Sequence, residues 1–207
     1  MRGMKQILRS PLLALAASLF LTPAAFAADS AASAPITALD GALISSMKAA
    51  ASGQSFQARY QALAPVVEQS YDLPEVTKNS VGFLWSTLPA DQQKELTELF
   101  TQFTISSYVS QFDGYSGQTL TVLPTEKTLG QKKIIETKLG SPGDSGVEID
   151  YVVADSGNGW KINDVLLNGT ISQVAVHASD FASLVKSGDA SQLISALKSK
   201  IKVLQGG

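Results

Sequence analysis

Near Gly114 the apolar residues of this chain change their spacing, from steps of three and four before it to steps of two after it. One element cannot satisfy both periods. The first winds an apolar stripe around a helix, and the second puts apolar side chains on one face of a strand. The chain must therefore build a helical part and then a sheet. Upstream, Ile36, Leu39, Leu43 and Met47 stripe one helix, and Leu96, Leu99, Phe100 and Phe103 stripe another. Asp91, Glu95 and Glu98 load the early turns of the second with acid, which suits a helix N-terminal end. Between them, Phe56, Tyr60 and Leu63 lead to Pro65, whose missing N–H predicts a break. Asp72 is placed to cap a short helix through Pro74 and Val76. Phe83, Leu84 and Trp85 form an apolar cluster on one more short helix.

Downstream, Leu120 and Val122 predict a first strand that Pro124 stops, and residues 131–139 a second. After the turn cluster Gly140-Ser141-Pro142-Gly143-Asp144, Val147, Ile149, Tyr151 and Val153 alternate with Glu148, Asp150 and Val152, the pattern of a strand with one covered face. Asn158-Gly159 is a favourable hairpin pair, and Trp160 to Leu167 is a fourth strand. Phe181, Leu184 and Val185 mark a closing helix that stops at Gly188. Leu193, Ile194, Leu197 and Ile201 mark the last one, capped by Asp189. The expected architecture is α+β: a curved antiparallel or mixed sheet of about four strands, covered on one face by helices from both ends of the chain. The helical part spans 36–115, the sheet 118–169 and the closing helices 173–203, all within a single domain of residues 36–207.

The N-terminus reads differently. Arg2, Lys5 and Arg9 precede the apolar run from Leu12 to Leu21, then Pro23 and the small-x-small tripeptide Ala25-Phe26-Ala27. That order is a secretory signal peptide over residues 1–27, cleaved near Ala27. Its apolar run is too short to span a bilayer comfortably. Residues 28–35, rich in Ala and Ser, read as a flexible lead-in. Removing Arg2, Lys5 and Arg9 leaves 13 basic against 18 acidic residues, a net charge of −5. The expectation is an exported, mildly acidic protein with no electrostatic footprint for nucleic acid.

Little catalytic chemistry is on offer. With no cysteine and a single histidine, His177, thiolate and His-cluster metal sites are excluded. His177 is the only imidazole base, and no Gly-x-Ser-x-Gly elbow accompanies it. Glu148 and Asp150 share one strand face, about 6.6 Å apart along the strand, but they fall where a sheet needs polar residues. No phosphate loop, dinucleotide fingerprint or EF-hand is present. Lys127, Lys132, Lys133 and Lys198, Lys200, Lys202 are short basic runs that suit solvated surface or a weak, transient contact with acidic membrane. The aromatic surplus around Phe83 to Tyr115 fits either a filled core or a ligand cavity, since both require the same residues.

The segment Trp160-Lys161-Ile162-Asn163-Asp164-Val165-Leu166-Leu167-Asn168-Gly169-Thr170-Ile171-Ser172, followed by Phe181, resembles a signature of the MlaC/toluene-tolerance family. Phe56 with Arg59-Tyr60, then Tyr71-Asp72-Leu73-Pro74, and Trp85 with Pro89 and Phe100 match that family's helical half in order. Gly169-Thr170-Ile171-Ser172 and Phe112-Asp113-Gly114-Tyr115 look most like its hopanoid-associated HpnM branch. One departure is clear: where members commonly carry a basic residue shortly before the helix Phe, this chain has His177-Ala178-Ser179-Asp180.

The resemblance implies a periplasmic lipid carrier that performs no chemistry and needs no cofactor or metal. It would move phospholipid or hopanoid-like lipid between an inner-membrane transporter complex and an outer-membrane acceptor protein. On that basis Val122, Ile135, Ile149, Tyr151, Val153 and Ile162 are expected to form the sheet wall of an apolar lipid pocket. Phe83, Trp85, Phe100, Phe103, Phe181 and Leu184 would form the helical wall. Asp164 is expected to fix a turn or helix end. Two alternatives stay open: a small-molecule enzyme on a cone-shaped α+β fold using Tyr151 and Asp164, and a partner-binding module with a filled core.

Overall fold

A computed structural model describes residues 30–206 except 142 and 144. The expected signal peptide and the first residues of the expected lead-in lie outside the described residues. Helix α1 (Ala34–Ala51) begins with Pro35 in its first turn, and Ala32 and Ser33 ahead of it are already buried. The end of the expected lead-in is thus part of the packed body.

Helix α2 (Phe56–Ser70) is capped by Ser55, whose hydroxyl accepts the Ala58 N–H. It runs through Pro65 without breaking, contrary to the expectation from sequence. Pro65 is on the exposed side of the helix, so water can satisfy the carbonyl that loses its partner. Arg59 on the opposite side is buried, and its Nη1 donates to the carbonyls of Val109 (2.8 Å) and Phe112 (3.3 Å). A cation thus caps the C-terminal end of α4 (Ala90–Gln111), where orphan carbonyls concentrate negative charge.

Asp72 accepts the Glu75 N–H and starts α3 (Leu73–Val81), as expected. A 3-10 helix, Gly82–Thr87, follows and buries none of its residues. In α4 the predicted stripe Leu96, Leu99, Phe100 and Phe103 is buried, continued by Ile105 and Val109.

Five strands form one antiparallel sheet in chain order: β1 (Thr119–Leu129), β2 (Lys132–Gly140), β3 (Val147–Asp155), β4 (Trp160–Leu167) and β5 (Ile171–Ser172). Pro124 does not stop β1. The register shifts between Val122 and Glu126, so the proline sits in a bulge of an edge strand, where no ladder N–H is required of it. In β3 the expected alternation holds for Tyr151 and Val153, but Asp150 and Val152 on the other face are buried as well, while Val147 is 48% exposed. At the sheet centre, residues of β3 on both faces are therefore buried.

Helix α5 (Gln173–Phe181) starts right after β5 and contains His177; Leu184 and Val185 fall beyond its end. Helix α6 (Ser191–Leu204) packs on α4; its N-cap is Ala190, without a side-chain cap, and Asp189, the cap expected from sequence, stands one residue ahead, where its carboxylate accepts the Ser191 N–H at 2.9 Å in a local turn. Helices from both ends of the chain cover the inner sheet face. The core they close contains Ile36, Leu39, Leu43, Leu63, Leu96, Ile135, Tyr151 and Ile162 at near-zero exposure. Among the described residues no helix is long and apolar enough to cross a membrane.

Candidate functional site

One face of α4 sets the site. Phe100, Phe103, Thr104, Ser107, Tyr108 and Gln111 recur at helical spacing and line a cavity of about 180 Å³. Leu73 and Val76 of α3, Tyr71 between α2 and α3, Val165 and Leu167 of β4, and Val174 and His177 of α5 complete the wall. Exposed Gln111 and Leu167 mark its solvent side. Tyr71 is held against the sheet by a bridge to Ile162, and the Asp72 N–H donates to the Ile162 carbonyl at 3.0 Å.

Among the described residues Asp164 is the only formally charged one lining the cavity, and it serves structure. One carboxylate oxygen accepts the N–H groups of Val165 (2.8 Å) and Val174 (3.1 Å); the other accepts the Ser172 hydroxyl. The carboxylate thus ties β4 to the N-terminal turn of α5, as the sequence led us to expect. His177 sits among aromatic rings. Its centroid lies 5.3 Å from Phe100, 5.8 Å from Phe103 and 5.5 Å from Phe181, the last ring nearly parallel to it. Burial lowers its pKa, which keeps the imidazole neutral and apolar in character.

Buried polar groups that hydrophobic periodicity does not reveal lie in the cavity wall and in α1. The hydroxyls of Tyr71 and Tyr108 hydrogen-bond to each other. Asp40 of α1 is 5% exposed, and neither of its carboxylate oxygens has a hydrogen-bond partner. Burial pushes its pKa up to about 7. Its charge reaches Tyr71, Tyr108 and Tyr151, all three of which are raised chiefly by burial, Tyr108 to about 12.

The twelve residues expected to form the pocket separate into four groups. Phe100 and Phe103 line the cavity, with Phe181 packed behind Phe100 and His177. Ile135, Tyr151, Val153 and Ile162 are packed solid in the core at 0–1% exposure. Ile149 lines a neighbouring groove with Phe112, Tyr115, Leu139 and Val147, and Gln111 borders both that groove and the cavity; Val122 lines another, with Asp40. Leu184 is half-buried outside any helix, and the 3-10 helix aims Phe83 into solvent at 87% exposure beside half-buried Trp85. Phe83 therefore forms no helical wall. Sequence reasoning missed Tyr71, Val76, Tyr108, Val165 and Val174. Tyr108 carried a signal, since it extends the stripe of α4 that includes Phe100 and Phe103.

On the outer sheet face Glu136, Glu148 and Asp150 bring carboxylate oxygens within 4.8 Å of one another. Lys127 pairs with Glu136 there. Burial and then the two neighbouring acids raise the pKa of Asp150. This is the arrangement that could accept a cation, and it lies across the sheet from the cavity.

The geometry has counterparts among known proteins. The sequence model of the MlaC protein family matches residues 38–199. A solved phospholipid-binding protein from Ralstonia solanacearum, in complex with a phospholipid, superposes with a TM-score of 0.71 over 84% of this chain and 98% of that one. At 23% identity that likeness speaks for the fold. No curated protein matches the sequence. With the family pattern running from α1 into α6, the chain belongs to the MlaC protein family.

Proposed function

We propose that this protein is an exported lipid carrier that holds hydrocarbon in the cavity between α3, α4, α5 and β4. The observation that carries this reading is the cavity itself: about 180 Å³, walled largely by aromatic and aliphatic side chains, with no lysine or arginine among the described residues that line it. A water needs on the order of 10–15 Å³, and an apolar cavity of about 150 Å³ takes up benzene. The space therefore suits one stretch of hydrocarbon, and the groove beyond Gln111 offers a path for more. Burying each methylene gains about 0.8 kcal/mol, so a long chain cannot cross water unaided but can cross inside such a cavity.

Catalysis is not part of this reading. The one histidine is packed among phenylalanines, and the Asp164 carboxylate is engaged by backbone and serine donors. The cargo is phospholipid or hopanoid-like lipid, passed in the periplasm between an inner-membrane transporter complex and an outer-membrane acceptor. The wording around Gly169 and Phe112 supports the hopanoid-associated branch of the family.

The test is organic extraction of gently purified protein followed by mass spectrometry. Lipid at near one-to-one stoichiometry is the expected result. Protein that purifies folded and free of lipid, and that takes up none from vesicles, overturns the reading. N-terminal sequencing of the exported protein should begin near Ala28.

A further inference from the structure

The outer face of the sheet gathers negative charge that the fold only partly offsets. Glu136 and Asp150 stand directly opposite each other on β2 and β3, and Glu148 lies two residues before Asp150 on the same face. Carboxylate oxygens of all three lie within 4.8 Å of one another. Like charges in facing positions weaken a sheet. Among the described residues one ion pair reaches the cluster, from Lys127 to Glu136, and the Lys127 side chain is 57% exposed. Asp150 is the most constrained of the three. It is 2% exposed, yet its Oδ1 has no hydrogen-bond donor. A buried carboxylate oxygen without a partner costs free energy that an apolar group would not. Val152 continues the same face and is buried as well, so packing alone would accept an aliphatic side chain at position 150. Gly169 adjoins the acids: a Cβ there would fall 2.6 Å from Glu148 Oε1 and 3.6 Å from Asp150 Oδ2. Its φ of 67° does not by itself demand glycine, because the preceding Asn168 adopts 51°. The missing side chain leaves the Glu148 carboxylate its place in the cluster.

We infer that Glu136, Glu148 and Asp150 bind one hard divalent cation of the calcium class on the outer face of the sheet. Calcium takes oxygen ligands at about 2.3–2.6 Å, so one ion can touch three oxygens that all lie within 4.8 Å of one another. A double positive charge balances what one lysine leaves over from three carboxylates, and it gives Asp150 the partner that its Oδ1 lacks. An all-oxygen set suits such an ion and not the softer metals that prefer sulfur. Glu148 is exposed, so water completes the coordination and the affinity is modest, in the range of about 10⁻⁴–10⁻³ M known for extracellular calcium modules. Lys127 competes with the ion for Glu136 and swings outward as it enters. The bound ion fastens β2 to β3. It also steadies Glu148, whose carbonyl accepts the Asn168 N–H at 3.0 Å in the turn that leads through β5 into α5. The site lies across the sheet from the cavity, and the inference does not depend on the carrier reading.

The experiment titrates calcium chloride into the full mature protein by calorimetry, with potassium chloride of equal ionic strength as the control for general screening. One ion per protein is expected, with a Kd of about 0.1–1 mM, and no saturable binding with the potassium salt. Glu148→Gln keeps the size of an exposed side chain and so keeps the fold; it should weaken calcium binding by about tenfold or more. Lys127→Met removes the competing ammonium and should tighten binding by about threefold. No saturable calcium binding up to about 10 mM overturns the inference, as does an effect that potassium chloride reproduces. Equal affinity in Glu148→Gln and wild type overturns it too, and so does binding that Lys127→Met leaves unchanged or weakens, because the ion would then lie away from these acids.

Discussion

The Asp164 carboxylate accepts the Val174 N–H at 3.1 Å, so one side chain of β4 fixes where α5 begins. That helix supplies Val174 and His177 to the cavity wall. Asp164→Ala should therefore cost about 1–3 kcal/mol in denaturant unfolding, the range for stranding backbone donors at a helix start. The amides of Val174 and Ala175 should exchange with solvent faster. Unchanged exchange at those two amides would show that β4 does not anchor the helix.

Asp40 makes stability depend on pH. Its folded pKa, about 7, lies above the ordinary 3.8, so the fold favours the neutral acid. The contribution is full below about pH 4 and is lost as pH rises toward 7, on the order of 4 kcal/mol in all. Asp40→Asn should flatten that fall, unfolding at higher urea than wild type at pH 8 and at similar urea at pH 4. His177 slopes the other way: its folded pKa is lowered, so its contribution is present above its ordinary value of 6.5 and fades as pH drops below it. Equal pH dependence of the Asp40→Asn variant and the wild type between pH 4 and 8 would rule out a buried, ionisable Asp40.

Filling the cavity should separate binding from folding. Thr104 is half-buried on the lining face of α4, so Thr104→Trp places a large ring in the space without displacing a core residue. Lipid recovered after purification should fall by about tenfold, with unfolding within roughly 1 kcal/mol of wild type. Full lipid occupancy in a folded Thr104→Trp protein would move the ligand site elsewhere.

Phe83 gives the contrasting case. At 87% exposure it packs against almost nothing. Phe83→Ser should change stability by less than about 0.5 kcal/mol and leave extracted lipid unchanged. A loss of lipid on this substitution would restore the residue to the helical wall expected from sequence.

Local regularities were readable and tertiary ones were not. The stripe of α4, the Asp72 cap, the alternation through Tyr151 and Val153, and the bounds of β4 follow from spacing and capping chemistry. Pro65 and Pro124 misled because a proline is harmful only where its N–H or the opposing carbonyl must be paired. One lies on a water-facing helix side, the other in an edge bulge. The cavity was only half visible. Spacing identifies which residues turn inward, and it does not show whether the facing element fills the space, as it does at Ile135 and Val153, or stops short, as it does at Phe103 and Tyr108. Asp40 was invisible for a related reason: a lone acid beside an apolar stripe looks solvated until the neighbouring helix and sheet close over it.

The proline bulge in β1 has a consequence for crowded conditions. An open-ended sheet invites a second molecule to dock strand against strand. Pro124 withholds a donor midway along that rim, and the register break beside it keeps the outer edge of β1 from offering one uninterrupted ladder to an incoming strand.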